Sequence, residues 1–179
     1  MVKKCIKNLI VLFLVACFIS VLNIHSFAFG YNNHKQMNTK FGDLISERVV
    51  WDVESNKFCV ERTYEKHSAQ TRSHQDGATY TNTKTVKNGI LGLSGSIELE
   101  YYVSGDFTWD TSAKKTWVSN VQGEVTYFKA GEIVDEHTYE LRSNTRRATA
   151  KYSFKNKIGK DGGTKRSISV SCNYRGSKS

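Results

Sequence analysis

Residues 97–103 read IELEYYV, and this stretch decides the fold class. Ile97, Leu99, Tyr101 and Val103 occupy one parity; Glu98, Glu100 and Tyr102 occupy the other. Side chains two apart share a face of a strand, so this period gives one oily face and one wet face. The same period recurs downstream. Ser104-Gly105-Asp106 reads as a turn, followed by Phe107 and Trp109, and 110–115 reads as a second turn before Trp117. Val125 and Tyr127 mark a further strand, and Ala130-Gly131 a tight hairpin turn. His137, Tyr139 and Leu141 share the next inward parity, opposite Glu136, Thr138 and Glu140. Ala148, Ala150, Tyr152 and Phe154 then alternate with Arg147, Thr149, Lys151, Ser153 and Lys155. After a glycine-rich turn at 159–163, Ile168, Val170, Cys172 and Tyr174 alternate with Ser167, Ser169, Ser171 and Asn173.

Upstream the pattern is the same. Thr79, Thr81, Thr83 and Thr85 form a threonine row, favoured in strands because the branched Cβ is stiff and packs well there. Residues 66–77 are polar and suit a loop, while Phe58, Val60 and Tyr64 mark one strand and Val49, Trp51 and Val53 another. Residues 31–42 read as an extended lead-in segment. No stretch carries the i, i+3, i+4 apolar spacing of a long helix, and the chain has no proline. The expectation is an all-β domain: a single antiparallel β-sandwich of eight or nine short strands, with a β-barrel as the alternative.

The first 28 residues read differently. Lys3, Lys4 and Lys7 precede a 14-residue apolar run, 9–22, and Ser26 and Ala28 supply small residues before a cut. This is the pattern of a secretory signal peptide, 1–28, followed by a single domain over 29–179. The run is shorter than the ~20 residues a permanent bilayer span needs. The alternative is a lipoprotein anchored through Cys17, since Leu14-Val15-Ala16-Cys17 resembles a lipobox; the apolar residues after Cys17 count against it.

Export bears on the cysteines. Removal of the leader leaves Cys59 and Cys172, and two thiols in an exported chain suggest one disulfide. Strand phase opposes a simple bridge: Cys172 shares parity with an apolar face, Cys59 with Glu61 and Thr63. Both readings stay open here. Two cysteines alone do not make a zinc site.

Charge is unevenly distributed. Residues 29–141 carry 12 Lys/Arg against 16 Asp/Glu, net −4. Residues 142–179 carry 11 Lys/Arg against Asp161 alone, net +10. Such asymmetry points to an anionic partner. For an exported chain that is an anionic cell-wall polymer, a lipid headgroup or a sulfated glycan; charge alone indicates no specific nucleic acid. The competing reading is that the basic strands simply pair with acidic neighbours, at about 0.2–1 kcal/mol per pair.

The chemistry-bearing motifs are sparse. GxSxG, GxGxxG and P-loop patterns are absent. His67, His74 and Asp76 fall within ten residues but match no metal-ligand spacing. Glu98 and Glu100 share a strand face, whereas glycosidase carboxyls normally sit on different strands about 5–9 Å apart. Cys59 or Cys172 with His137 would need a fold to bring thiol and imidazole together. Trp109 and Trp117 flank the 110–115 turn, where exposed indoles can stack on glycans or partner side chains. Strands 147–155 and 165–174 also alternate as a membrane-inserting hairpin would.

The runs SGSIELEYYVSGDFTWD (94–110) and SISVSCNY (167–174) resemble small exported Ser/Thr-rich β proteins of Gram-positive bacteria that carry no assigned activity. The resemblance implies a sandwich fold and extracellular release, and it transfers no functional residue. The sequence thus leads to a secreted binding module without cofactor or catalytic motif. Its expected surface is Arg147, Lys151, Lys155, Lys165 and Arg175, with Trp109 and Trp117. The rivals are a secreted toxin- or bacteriocin-like protein and a hydrolase using the His67/His74/Asp76 loop.

Overall fold

The computed structural model describes residues 38–67, 75–89, 94–157 and 163–178. The leader with Cys17, the apolar stretch 90–93 and most of the 159–163 turn lie outside them. Within them the chain is all-β, with one helical turn, α1 (Asn38–Phe41), inside the segment read as extended. Eight strands follow: β1 (Asp43–Asp52), β2 (Lys57–His67), β3 (Gln75–Lys87), β4 (Ile97–Asp110), β5 (Lys115–Phe128), β6 (Glu132–Leu141), β7 (Arg147–Lys157) and β8 (Thr164–Asn173). They form two antiparallel sheets, β1-β2-β3-β4-β5 and β6-β7-β8, packed face to face and not closed into a barrel.

The core lies where the smaller sheet covers β3, β4 and β5. The larger sheet contributes Tyr80, Val86, Leu99, Tyr101, Val103, Phe107 and Val118, all buried. The smaller contributes Ala148, Ala150, Tyr152, Phe154, Ile168, Val170 and Cys172. Along β4, β7 and β8 these are the parities that the sequence placed inside. Burying each large side chain contributes roughly 1.5–3 kcal/mol, so this two-sided layer carries the fold. Tyr101 meets Phe154 edge-on across the layer, ring centroids 4.9 Å apart.

Two glycines let the sheets approach. A Cβ on Gly105 would lie 2.8 Å from Ala150 Cβ, and one on Gly123 would lie 2.3 Å from Tyr152 Cγ. Ser104-Gly105-Asp106 is therefore no turn. β4 runs through it for 14 residues, and the glycine serves contact between sheets rather than chain reversal. Residues 66–77 are likewise only partly loop, since β2 continues to His67 and β3 begins at Gln75.

The Ala130-Gly131 turn is present, with Gly131 at φ 113°, but β5 and β6 belong to different sheets, so it is a corner rather than a hairpin. The turn after β4 is built on Asp110, whose Oδ1 accepts from the backbone N–H groups of Ser112 (2.9 Å) and Ala113 (2.8 Å).

Two parities are reversed. In β6, Val134 faces Lys155 and His137 faces Ser153, with a register shift between them where Asp135 takes φ 54°. The bulge turns His137, Tyr139 and Leu141 to the outer face. In β1, Val50 and Asp52 point inward, opposite Cys59 and Lys57, and Val49, Trp51 and Val53 point out.

The threonine row lies on the outer face of the larger sheet, yet Thr81, Thr83 and Thr85 are buried. Larger neighbours on β2 and β4 overlap them, and their hydroxyls find partners: Thr81 with Ser104 Oγ (2.9 Å), Thr85 with Glu100 Oε2 (3.2 Å). Phe41 of α1 packs on the same face against Tyr64 and Tyr102, at 5.7 and 5.0 Å between centroids.

Candidate functional site

The outer face of β6-β7-β8 gathers the basic residues. Alternation along β7 puts Arg147, Lys151 and Lys155 on one side, and register adds Lys165 from β8 opposite Lys155. Successive members on β7 are four residues apart, about 13 Å at the rise of a strand. Lys155 and Lys165 stand directly opposed, where Cβ atoms are about 5 Å apart and like charges destabilise the sheet.

Small hydroxyl side chains form the floor. Thr149 Oγ1 and Ser171 Oγ are 2.7 Å apart, Ser169 faces Lys151, and Ser167 faces Ser153. Val134, His137, Tyr139 and Leu141 of β6 form one margin; Tyr139 and Leu141 are 41% and 40% exposed.

The register also places Lys157 here, opposite Glu132 at the edge. Among the described residues none of Arg147, Lys151, Lys155, Lys165 and Arg175 makes a salt bridge. Pairing with acidic neighbours therefore does not account for these five cations. Arg175 lies past the end of β8, near the Arg147 end of the face, with its guanidinium 5.4 Å from the Tyr174 ring centre.

The other sequence candidates disperse. Trp109 is 7% exposed and packs inward against Gly176, so it offers no surface indole. Trp117 is half-buried on the opposite face, because its partner is Thr108 while Trp109 pairs with Thr116. The two indoles do not make one site.

Cys59 and Cys172 are free and buried. Both face the core, so phase is no obstacle, but distance is: Cys59 pairs with Val86, whereas Cys172 lies by Tyr80, six residues and about 20 Å along β3. Burial pushes the thiols up to about 11 and about 12, the opposite of an activated nucleophile. His137, on the outer face, meets neither.

His67 Nε2 lies 3.4 Å from Glu65, Asp76 accepts the Gly77 N–H at 2.8 Å, and His74 lies outside the described residues. Among the described residues no three metal-ligating side chains converge. Glu98 is bound by Lys57 at 2.7 Å and Glu100 by Thr126 at 3.1 Å, so each is held in the sheet. The apolar face of the 147–155 and 165–174 hairpin is the sandwich core itself.

A second charged cluster escaped sequence reasoning because its members come from four strands. Asp52 is buried at the end of β1, with Lys84 Nζ 2.5 Å from Oδ1 and Arg166 2.8 Å from Oδ2. Ser55 donates to Oδ2 through both its hydroxyl and its N–H. Arg166 Nε also donates to Asn156 at 2.8 Å, which ties β1 and β3 to β7 and β8. Burial alone would push the Asp52 carboxyl up; hydrogen bonds from Lys84 and Ser55, the Lys84 charge and Arg166 outweigh it and hold the group below its ordinary 3.8. The cluster is enclosed, which suits clamping the sheets rather than meeting a ligand.

A polar groove of about 460 Å³ lies between β8 and the β1–β2 overhang. There Asn82 donates to Glu61 (3.2 Å) and to the Ser169 carbonyl (3.1 Å), while its own oxygen has no partner among the described residues. No family model, no curated protein and no solved structure matches this chain.

Proposed function

We propose that this chain is an exported binding module that attaches, through the outer face of β6-β7-β8, to an anionic surface polymer. The observation that carries the reading is the opposed pair Lys155 and Lys165 on a face with Lys151 and Arg147, none of which makes an ion pair among the described residues. A sheet that sets like charges side by side loses stability unless an anion lies between them. A repeating polyanion would neutralise the row, and the low serine and threonine floor would let it lie flat. Tyr139 at the margin offers a ring for stacking on sugar or polyol units. The leader pattern of residues 1–28 supports export to where such polymers occur.

The test is retention on immobilised heparin and on immobilised teichoic acid under a rising salt gradient. Exposed charges are screened within about 8 Å at physiological salt, so binding built on them weakens steeply as salt rises. Replacing Arg147, Lys151, Lys155 and Lys165 together by Gln is expected to abolish retention while the circular-dichroism spectrum stays unchanged. Unchanged elution of that variant overturns the proposal.

A further inference from the structure

β8 is an edge of the smaller sheet, and the polar groove of about 460 Å³ runs along it. Residues 167–170 supply one wall, and the inner face of β1, β2 and β3 supplies the floor, with Arg48, Glu61 and Asn82. The open edge is bounded in both directions along the strand. On one side Arg166 reaches across to Asp52, where the smaller sheet closes on the end of β1. On the other the chain turns after β8 and comes back alongside it. Lys178 there bridges Cys172 antiparallel, and the Asn173 N–H donates to the Ser177 carbonyl at 2.9 Å. The edge left between them, 167–170, is about 13 Å long at the rise of a strand.

This edge presents main chain. The Ser169 carbonyl accepts from Asn82 Nδ2 at 3.1 Å, so it points into the groove. In an antiparallel ladder the N–H and C=O of one residue point the same way, and residues two apart repeat the direction. The N–H groups of Ser167 and Ser169 therefore face the groove as well. A carbonyl accepts two donors, so Ser169 has room for a second. The floor lacks two things. Asn82 is 5% exposed and gives its amide hydrogens to Glu61 and Ser169, while its oxygen has no donor among the described residues. A buried acceptor left open costs about 1–3 kcal/mol. Charge is also unbalanced. Glu61 is taken by Arg48 at 2.6 Å, and Lys178 makes no ion pair among the described residues. Burial and the Arg48 charge pull the Lys178 amine below its ordinary value, outweighing Glu65 and Glu61.

We propose that this groove binds an extended acidic peptide of a partner protein, which adds to β8 as a fourth strand of the smaller sheet and sets a carboxylate beside Lys178 and Arg48. Main-chain pairing to Ser167 and Ser169 holds the peptide, and its alternate side chains point to the floor, where a small hydroxyl or amide donor meets Asn82 Oδ1. The returning tail already shows the antiparallel mode on this edge. The wall also distinguishes a peptide from a sugar. Among the described residues no aromatic side chain lines the groove, so a sugar has no ring on which to stack, whereas a strand edge matches a peptide backbone. Residues 29–37 of this chain carry Lys35 and no acid, so that segment does not supply the anion. The site is separate from polymer attachment, which uses side chains of the outer face rather than the main-chain edge.

The probe is a pool of short peptides, blocked at both ends, with Asp fixed at the centre and Ser, Thr, Val or Asn elsewhere, passed over immobilised protein. Arg147, Lys151, Lys155 and Lys165 are first replaced by Gln, so that the lysine face takes no part. The expected result is that this variant retains the pool and loses it when Asn replaces the central Asp. Proline at alternate positions, which removes the N–H groups that pair, is expected to abolish retention. Adding Lys178→Gln should weaken binding about tenfold with an unchanged circular-dichroism spectrum. Amide hydrogen exchange at Ser167 and Ser169 should slow when peptide is bound. Failure to retain the Asp pool overturns the proposal, as does equal retention of the Asn or proline pools or by Lys178→Gln. So does displacement by glycerol 3-phosphate with no change in exchange at Ser169, which would make the groove a simple anion site. Because the lysine face is already neutral in this protein, none of these outcomes bears on polymer retention.

Discussion

Asp52→Asn removes the anion that two buried cations share. Lys84 and Arg166 have side chains only 13% and 8% exposed, and Asp52 holds both, one on each oxygen. The asparagine keeps the shape and one acceptor, but it leaves two positive charges facing each other out of water. Breaking a buried pair in this way costs about 3–5 kcal/mol. At roughly 2–4 °C per kcal/mol for a domain of this size, the midpoint should fall by about 6–20 °C.

The triple variant Asp52→Leu, Lys84→Met, Arg166→Met removes every charge at once. Exchanging a whole buried ion cluster for packed apolar side chains is often neutral or stabilising by about 1–4 kcal/mol. Here Asn156 would lose the Arg166 donor, a penalty of about 1–3 kcal/mol, so the triple should come close to wild type. Urea unfolding followed by tryptophan emission measures both.

Acid adds an independent check. The Asp52 carboxyl is held below 3.8, so its contribution is complete above that pH and is lost as pH falls toward the folded value. The gap between wild type and Asp52→Asn should therefore narrow in acid. A single-variant loss under about 1 kcal/mol, or a triple variant as unstable as the single, would refute a clamp that works by charge compensation.

Gly123→Ala would drive a Cβ to 2.3 Å from Tyr152 Cγ, and overpacking of that kind should cost about 1–3 kcal/mol in thermal or urea unfolding. Cys59 and Cys172 should both read as free thiols by intact mass, and should react with a thiol reagent at pH 8 only on unfolding, since burial pushes them up to about 11 and about 12. Lys165→Glu should raise stability by about 0.2–1 kcal/mol at low salt by relieving Lys155, while lowering retention on heparin. A matching loss of stability would mean the two lysines do not repel.

The sequence was most informative where one face of a strand is buried by partners on both sides. The parities of 97–103, 148–154 and 168–172 were readable because β4, β7 and β8 bury one side against the other sheet. β6 was misread because both its faces are largely exposed, so alternation carried little information and the bulge at Asp135 shifted the phase. Gly105 was misread because a glycine required by close approach looks, in one dimension, like a glycine required by a turn.

The basic character of residues 142–179 was legible as a count, but a count does not say which cations share a face or lack a partner. By itself the chain specified a period of two, one β domain and a surplus of charge at its end, since these follow from the order of side chains along a pleated backbone. Only the tertiary structure decided that the two lysines stand opposed with no ion pair among the described residues, that Trp109 is interior and that Asp52 joins four strands. It also left the apolar stripe of β1 in water. Those facts depend on register and on where one sheet stops covering the other, which are relations between segments far apart in the chain.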